Sequence, residues 1–478
     1  MCHRIRTAAV SIWLLLSVGG CHTAAKHHLT AISEFDRGDS LAALQSLDAA
    51  SQRLRSEKQI LAIDRAITTL TAGDPAGSET LLRESRRQLE FLEQKDIKEQ
   101  TASVLTDDKA VSWKGREFER RMIDNLLVLS SLLGNEQDAF AYSTQVMEVV
   151  ADERQALLPD QPVSETESSD GEIQTVAASS VAPPPRLMPN AFSAYLHAAV
   201  HSERAMDADV TDSAIRQVSF WTAAPTAKIV NAAGTEATLP FGSHSTRPQH
   251  GVVHVITFVG RVTDWEPETA EPTTAALLIA DRILSVVGDH TLPPTVAPVK
   301  IARPVQTEST VPWTTAIVAT DNDETSPAVS RALVDLNQSA YDSYLADRDE
   351  QIARAVARRI VKKGAVYAAK NQMAVAGGTG VDLLMNVGGI IWEAMEKADT
   401  RHVTLLPERI EAAQIELPVG PHTLELSRIS RFVNSAGRAP VQAEQRVQVH
   451  VQDGRNVFIL CFRPQGSLTS IVVSADGK

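Results

Sequence analysis

Gly38-Asp39-Ser40-Leu41-Ala42-Ala43 decides how the first third of the chain is read, because the phrase returns as Gly73-Asp74-Pro75-Ala76-Gly77-Ser78 and, loosely, as Gly134-Asn135. At five and twelve positions after the glycine stand Ala43 and Ala50, Ser78 and Ser85, then Ala139 and Val146. Ahead of each glycine runs an apolar stripe at helical spacing: Leu29, Ile32 and Phe35; Ile63, Ile67 and Leu70; then Leu126, Leu127, Leu129, Leu132 and Leu133. Glycine closes a helix by entering the left-handed conformation, and small side chains let the next helix cross closely. Residues 25–155 carry almost no strand pattern and read as αα-hairpins.

Gly38 and Gly73 are 35 positions apart, near the roughly 34-residue period of tetratricopeptide-type repeats, which these hairpins resemble. The 61 positions from Gly73 to Gly134 leave room for a degenerate copy between them. Most of the aromatic signature of such repeats is missing, so a generic helical bundle stays open beside the solenoid. The division predicted from this reading is helical repeats over 21–158, a disordered linker over 159–188 rich in Ser, Glu and Pro, and a further hairpin of the solenoid over 189–223. Either helical reading offers a surface for partners.

The amino terminus sets the compartment. His3, Arg4 and Arg6 precede an apolar run from Thr7 to Val18, too short for a comfortable membrane span, and Gly19-Gly20-Cys21 follows as a small-residue cleavage site. The pattern is that of a bacterial lipoprotein signal over 1–20, with Cys21 as the lipidation residue; an ordinary cleaved signal and an uncleaved anchor are its rivals. Several acyl chains hold a protein stably at a membrane. His22 stands where an aspartate would direct retention in an inner membrane, which favours an outer-membrane, periplasm-facing location. With 59 acidic and 46 basic residues and a net charge of -13, the chain is repelled by phosphate backbones, and nucleic acid is not an expected partner. Of three cysteines, Cys2 leaves with the signal and Cys21 is acylated. Cys461, inside Val457-Phe458-Ile459-Leu460-Cys461-Phe462, is expected as a buried apolar residue.

The remainder alternates strands and helices, so the fold class expected is α+β and multidomain: the TPR-like α-solenoid, then a mixed region with a long helical hairpin and a small antiparallel β-sandwich. Gly251 to Gly260 is the first convincing strand, a helix follows from about Pro272 to Val287, and Val296 to Ile301 is a short strand; together they form an α/β segment over 250–325. Residues 225–250 and 303–315 read as loops. A long helix opened by Ser326 as N-cap and Pro327 at its first position runs to about Lys370 and begins a helical hairpin over 326–400. Its apolar stripe is Tyr341, Tyr344, Leu345, Ile352, Val356 and Ile360, interrupted by Arg348. Met373 to Trp392 is apolar and glycine-rich; a buried turn and helix or a lipid contact are both open. From 401 to 478 short strands at 403–406, 414–417, 422–427, 445–451 and 456–462 form a small β domain, with turns at Pro418-Val419-Gly420-Pro421 and Asp453-Gly454.

Candidate chemistry is sparse. His197 and His201 lie one helical turn apart with Glu203 nearby, but the zinc-protease glutamate is missing between them and no third ligand is set by spacing. No phosphate-binding glycine pattern, Gly-x-Ser-x-Gly or His-Glu-x-x-His is present. No catalytic, metal or cofactor residues are assigned, although a carboxylate pair for glycan cleavage is set only by the fold.

Phe118-Glu119-Arg120-Arg121 leading into Asp124-Asn125-Leu126-Leu127, then Pro189-Asn190-Ala191-Phe192 with Tyr195-Leu196, the Val255–Gly260 strand, and Ala398-Asp399-Thr400-Arg401 before Leu405-Leu406-Pro407 occur in order. As a set they resemble an uncharacterised family of bacterial envelope lipoproteins with tetratricopeptide-like N-terminal repeats, over most of residues 110–463. The resemblance brings no active site. The expectation is a lipid-anchored, non-enzymatic adaptor or scaffold: the membrane is met through Cys21 and an unidentified envelope protein through the helical repeats, with a place in envelope assembly. An envelope glycan-binding or glycan-hydrolysing protein is the alternative.

Overall fold

The computed structural model describes residues 26–103, 112–134, 137–157, 188–222, 247–287, 292–293, 296–305, 311–320, 328–374, 398–430 and 441–477. The signal segment with Cys21, the linker from 159 to 187, and 375–397, which takes in all but the first two residues of the Met373–Trp392 run, lie outside them. The fold is mixed α/β, with ten α-helices and eleven strands among the described residues. No described helix is long and apolar enough to cross a membrane.

Eight helices come first: α1 (26–36), α2 (Ser40–Ser51), α3 (Lys58–Thr71), α4 (Pro75–Ser103), α5 (Glu117–Leu133), α6 (Ala139–Leu157), α7 (Pro189–Ser202) and α8 (Ala208–Trp221). From α2 onward each packs against the next. The repeated phrase is the joint. Gly38 is left-handed at φ +82° and Gly73 at +87°. The following aspartate N–H reaches back to a carbonyl five residues earlier, Asp39 to Glu34 at 3.0 Å and Asp74 to Thr69 at 3.2 Å. Each aspartate then caps the next helix: Asp39 accepts from the Ala42 N–H at 3.0 Å and Asp74 from the Gly77 N–H at 2.8 Å. The third copy departs from this, because Gly134 has φ -91° and donates to Ser130 and Ser131 instead. Ala43, Ala50, Ser78, Ser85, Ala139 and Val146 are all buried, as close helix crossing requires.

The helices cover one face of a five-stranded sheet of order β11-β10-β1-β7-β6, formed by β1 (His250–Val259), β6 (Arg331–Asp335), β7 (Arg409–Pro418), β10 (Asn456–Arg463) and β11 (Ser470–Val473). Strand β1 is central, parallel to β10 and antiparallel to β7. With both faces covered it reads as a continuous apolar run. Along β10 the pleat sends Phe458, Leu460 and Phe462 into the core shared with the helices. Val457, Ile459 and Cys461 go into a second apolar layer against a four-stranded sheet, order β5-β4-β8-β9: β4 (Trp313–Ala319), β5 (Ala328–Val329), β8 (Gly420–Ser430) and β9 (Val441–Val451). Strands β2 (Trp265–Ala270) and β3 (Val299–Pro304) pair apart from these and pack beside α9 (Thr274–Val287) and α10 (Leu336–Ala374).

Several sequence boundaries shift. The long helix starts nine residues later than Ser326 and Pro327 imply, because Arg331–Asp335 is taken as an edge strand by β7 and Asp335 becomes the cap, accepting from the Gln338 N–H at 2.9 Å. The strands of 401–478 do not form a sheet of their own: β7 and β10 flank β1, and β8 pairs with β4, which emerges at the end of the expected 303–315 loop. Residues 403–406 are not a strand. They belong to an irregular strap, residues 398–408, buried between the helices and the sheet.

Candidate functional site: a charged groove beside a closed junction

Helix α5 carries two polar faces with different fates. The first closes. Glu119 is 1 % exposed and accepts the Val403 N–H of the strap at 2.9 Å and the Arg116 N–H at 2.7 Å. From α3, the fully buried Asp64 accepts the N–H groups of Thr404 at 3.1 Å and Leu405 at 3.0 Å, and the Thr404 hydroxyl at 2.7 Å. His28 of α1 sits 3.3 Å from the same carboxylate. Burial lowers its imidazole, and the hydrogen bond and charge of Asp64 outweigh that, so its affinity for a proton is raised. Arg116 stacks on Trp265 at 3.5 Å and donates to the Arg401 carbonyl at 2.9 Å. Irregular backbone inside a protein needs such partners, since each orphaned N–H there costs about 1–3 kcal/mol.

The second face stays open. Glu117, Arg120, Arg121 and Asp124 recur at helical spacing along α5 and line a groove of 360 Å³ with Arg86, Leu89 and Glu90 of α4 and Val149 and Glu153 of α6. Arg121 is the post between groove and core. It pairs with Glu153 and donates to Asn190 Oδ1 at 3.2 Å, while Asn190 Nδ2 donates to Glu153 at 2.6 Å. Behind it Asn125 donates to the Pro189 carbonyl at 3.1 Å and accepts from Ser193 at 2.7 Å. Motifs dispersed through the sequence, around 118–127, 189–196 and 398–407, thus meet around α5.

Two of the groove carboxylates, Asp124 and Glu117, are short of compensation. Asp124 lies 3.7 Å from Arg121 and 3.8 Å from Arg86, yet desolvation exceeds their attraction and pushes its carboxyl up to about 6. Glu117 is raised too, by desolvation and then by the charge and hydrogen bond of Glu153. Arg86 also pairs with Glu90 at 3.6 Å and lies over the Tyr142 ring at 5.6 Å. Chemically the groove presents both signs of charge beside apolar side chains.

The other candidates fall elsewhere. His197 and His201 are buried with ring centroids 4.2 Å apart; His197 Nδ1 meets the Ser143 hydroxyl at 3.2 Å and His201 Nδ1 meets Asp207 at 2.8 Å. Burial, then the neighbouring His201, pushes His197 down to about 4. Among the described residues no group of three or more His, Cys, Asp or Glu is arranged to hold a metal ion. Cys461 is fully buried between the sheets and burial pushes its thiol up to about 12, which removes the thiolate. His254 of β1, which composition does not single out, is buried against Tyr195, whose hydroxyl is 2.8 Å away, and stacks on Phe458; burial pushes it down to about 4. A second buried network missed in the sequence ties the sheets: Glu411 accepts from Thr314 at 2.6 Å, Ser330 at 2.8 Å and Arg409 at 2.7 Å.

No family profile, curated protein sequence or solved structure matches the chain.

Proposed function

We propose that the protein is a lipid-anchored, non-enzymatic adaptor of the bacterial envelope, held at the outer membrane through Cys21 and binding a protein partner in the α4–α5–α6 groove. The observation that carries the reading is this groove: it is open, it combines apolar floor with both charges, and Asp124 and Glu117 in it lack full compensation, whereas the buried polar clusters around Asp64 and Glu411 are spent on the fold. The helical layer is read as a TPR-like solenoid and the paired sheets as a β-sandwich, in keeping with the resemblance to TPR-like envelope lipoproteins. A cross-linking pull-down from solubilised envelopes tests it, comparing the native protein with Val149→Trp, which fills the groove from a residue that is 44 % exposed. A stoichiometric partner lost only from the variant is expected; a partner retained by both moves the binding surface elsewhere. The glycan-cleaving alternative predicts clearing of a peptidoglycan zymogram by the purified protein, which the adaptor does not produce.

A further inference from the structure

We infer that the end of the helical layer made by the start of α1 and the α2–α3 turn lies against the bilayer, with Lys26, Arg53 and Lys58 on anionic phospholipid headgroups and Leu29 at the interface. The inference rests on the reading of Cys21 as the lipidated residue. Cys21 and Lys26, the first residue of α1, are five positions apart, and a fully extended chain over that interval spans at most about 17 Å. Helix α1 is not a loose arm. His28 is bound to Asp64 and, at 3.2 Å, to Thr404 of the strap; at the other end Asp36 accepts from Arg261 at 2.9 Å and from Gln465 at 3.1 Å. The body is therefore fixed to the helix that begins within that short reach of the membrane, and this end cannot swing away from it.

The α2–α3 turn shares that end, since His28 Nδ1 lies 4.0 Å from Glu57 Oε2. Lys26, Arg53 and Lys58 are exposed there, Leu29 is 67 % exposed, and Glu57 is turned toward His28. The chain as a whole carries -13, so an anionic surface repels it in general and attracts it here. A lipid chain combined with a basic patch is a two-signal anchor, and the patch also orients what the lipid only tethers.

The test is amine footprinting of the full lipidated protein in phosphatidylethanolamine vesicles containing phosphatidylglycerol, read by mass spectrometry against the same protein in detergent. Lys26 and Lys58 are expected to lose at least fivefold in reactivity on vesicles while the exposed Lys300 of β3 stays unchanged, and replacing phosphatidylglycerol by phosphatidylcholine is expected to return at least half of the loss. Acylated Cys21 with Lys26 and Lys58 as reactive as in detergent overturns this inference and leaves the anchor standing. Equal protection with and without phosphatidylglycerol overturns the role of headgroup charge. A Cys21 peptide without acyl mass overturns the anchor, and this inference with it.

Discussion

The junction and the groove use the same residue types on the same helix to opposite ends. Around Asp64 and Glu119 every carboxylate oxygen is met by N–H or hydroxyl donors, three oxygens from the strap and Glu119 Oε2 from the Arg116 N–H, so their acceptor capacity is taken up by the fold. Asp124 instead faces arginines at 3.7 and 3.8 Å and Glu117 faces the carboxylate of Glu153, and both hold protons more tightly than free carboxyls do. Buried carboxylates with backbone donors are structure; half-buried ones with distant cations are the place to look for a partner.

The largest effect that would break this contrast is at the junction. Asp64→Ala leaves two strap N–H groups and His28 without their acceptor and is expected to cost about 3–5 kcal/mol in urea unfolding; a cost under about 1 kcal/mol would mean that the strap is not held from α3. The pH dependence comes next. His254 and His197 titrate near 4 in the folded chain against an ordinary 6.5, so between those values the unfolded chain binds more protons. The stability that each neutral imidazole provides is complete above 6.5 and is lost as pH falls toward 4, up to about 3 kcal/mol per group. His254→Gln is expected to flatten that acid limb in denaturation series at pH 7 and 5; an unchanged slope would contradict its burial.

The hairpin glycines sharpen the contrast at smaller scale. A Cβ at Gly38 meets the Thr469 Cβ at 2.9 Å, whereas one at Gly73 meets nothing within 4 Å. Gly73→Ala therefore carries only the left-handed penalty, about 1 kcal/mol, and Gly38→Ala about 2 kcal/mol or more, because helix and sheet must part. Equal thermal shifts for the two would remove the close approach of α1 to the sheet. In the groove the sign reverses: Asp124→Asn is expected to stabilise the free protein by about 1–2 kcal/mol above pH 6, since the folded chain there keeps a charge that it disfavours. Below about pH 4, where the carboxyl is protonated folded or unfolded, the gain vanishes.

Much of this was legible in the sequence. Gly38 and Gly73 announce the hairpin turns, the small residues that follow them announce the close crossings, and the β-branched run of β1 and the turns at Gly420 and Gly454 are readable in the same way, whereas the capping by Asp39 and Asp74 emerges only in the structure. What failed did so for tertiary reasons. Val403-Thr404-Leu405-Leu406 alternates like a strand, but its N–H groups go to Asp64 and Glu119, partners more than 280 residues away. Residues 331–335 continue a helical pattern that pairing with β7 overrides. The groove was hidden because Glu117, Arg120 and Asp124 at helical spacing look like a solvated face until α4 and α6 close on either side. Cys21 and the run 375–397 lie outside the described residues.

Site-specific photocross-linking in living cells shows whether a partner docks in the groove. A benzophenone amino acid at Val149, in the groove, is compared with one at Leu278, which is 70 % exposed on α9. Docking in the groove gives one discrete protein adduct from position 149 and none from 278. No adduct at 149, or the same adduct from both positions, would contradict it.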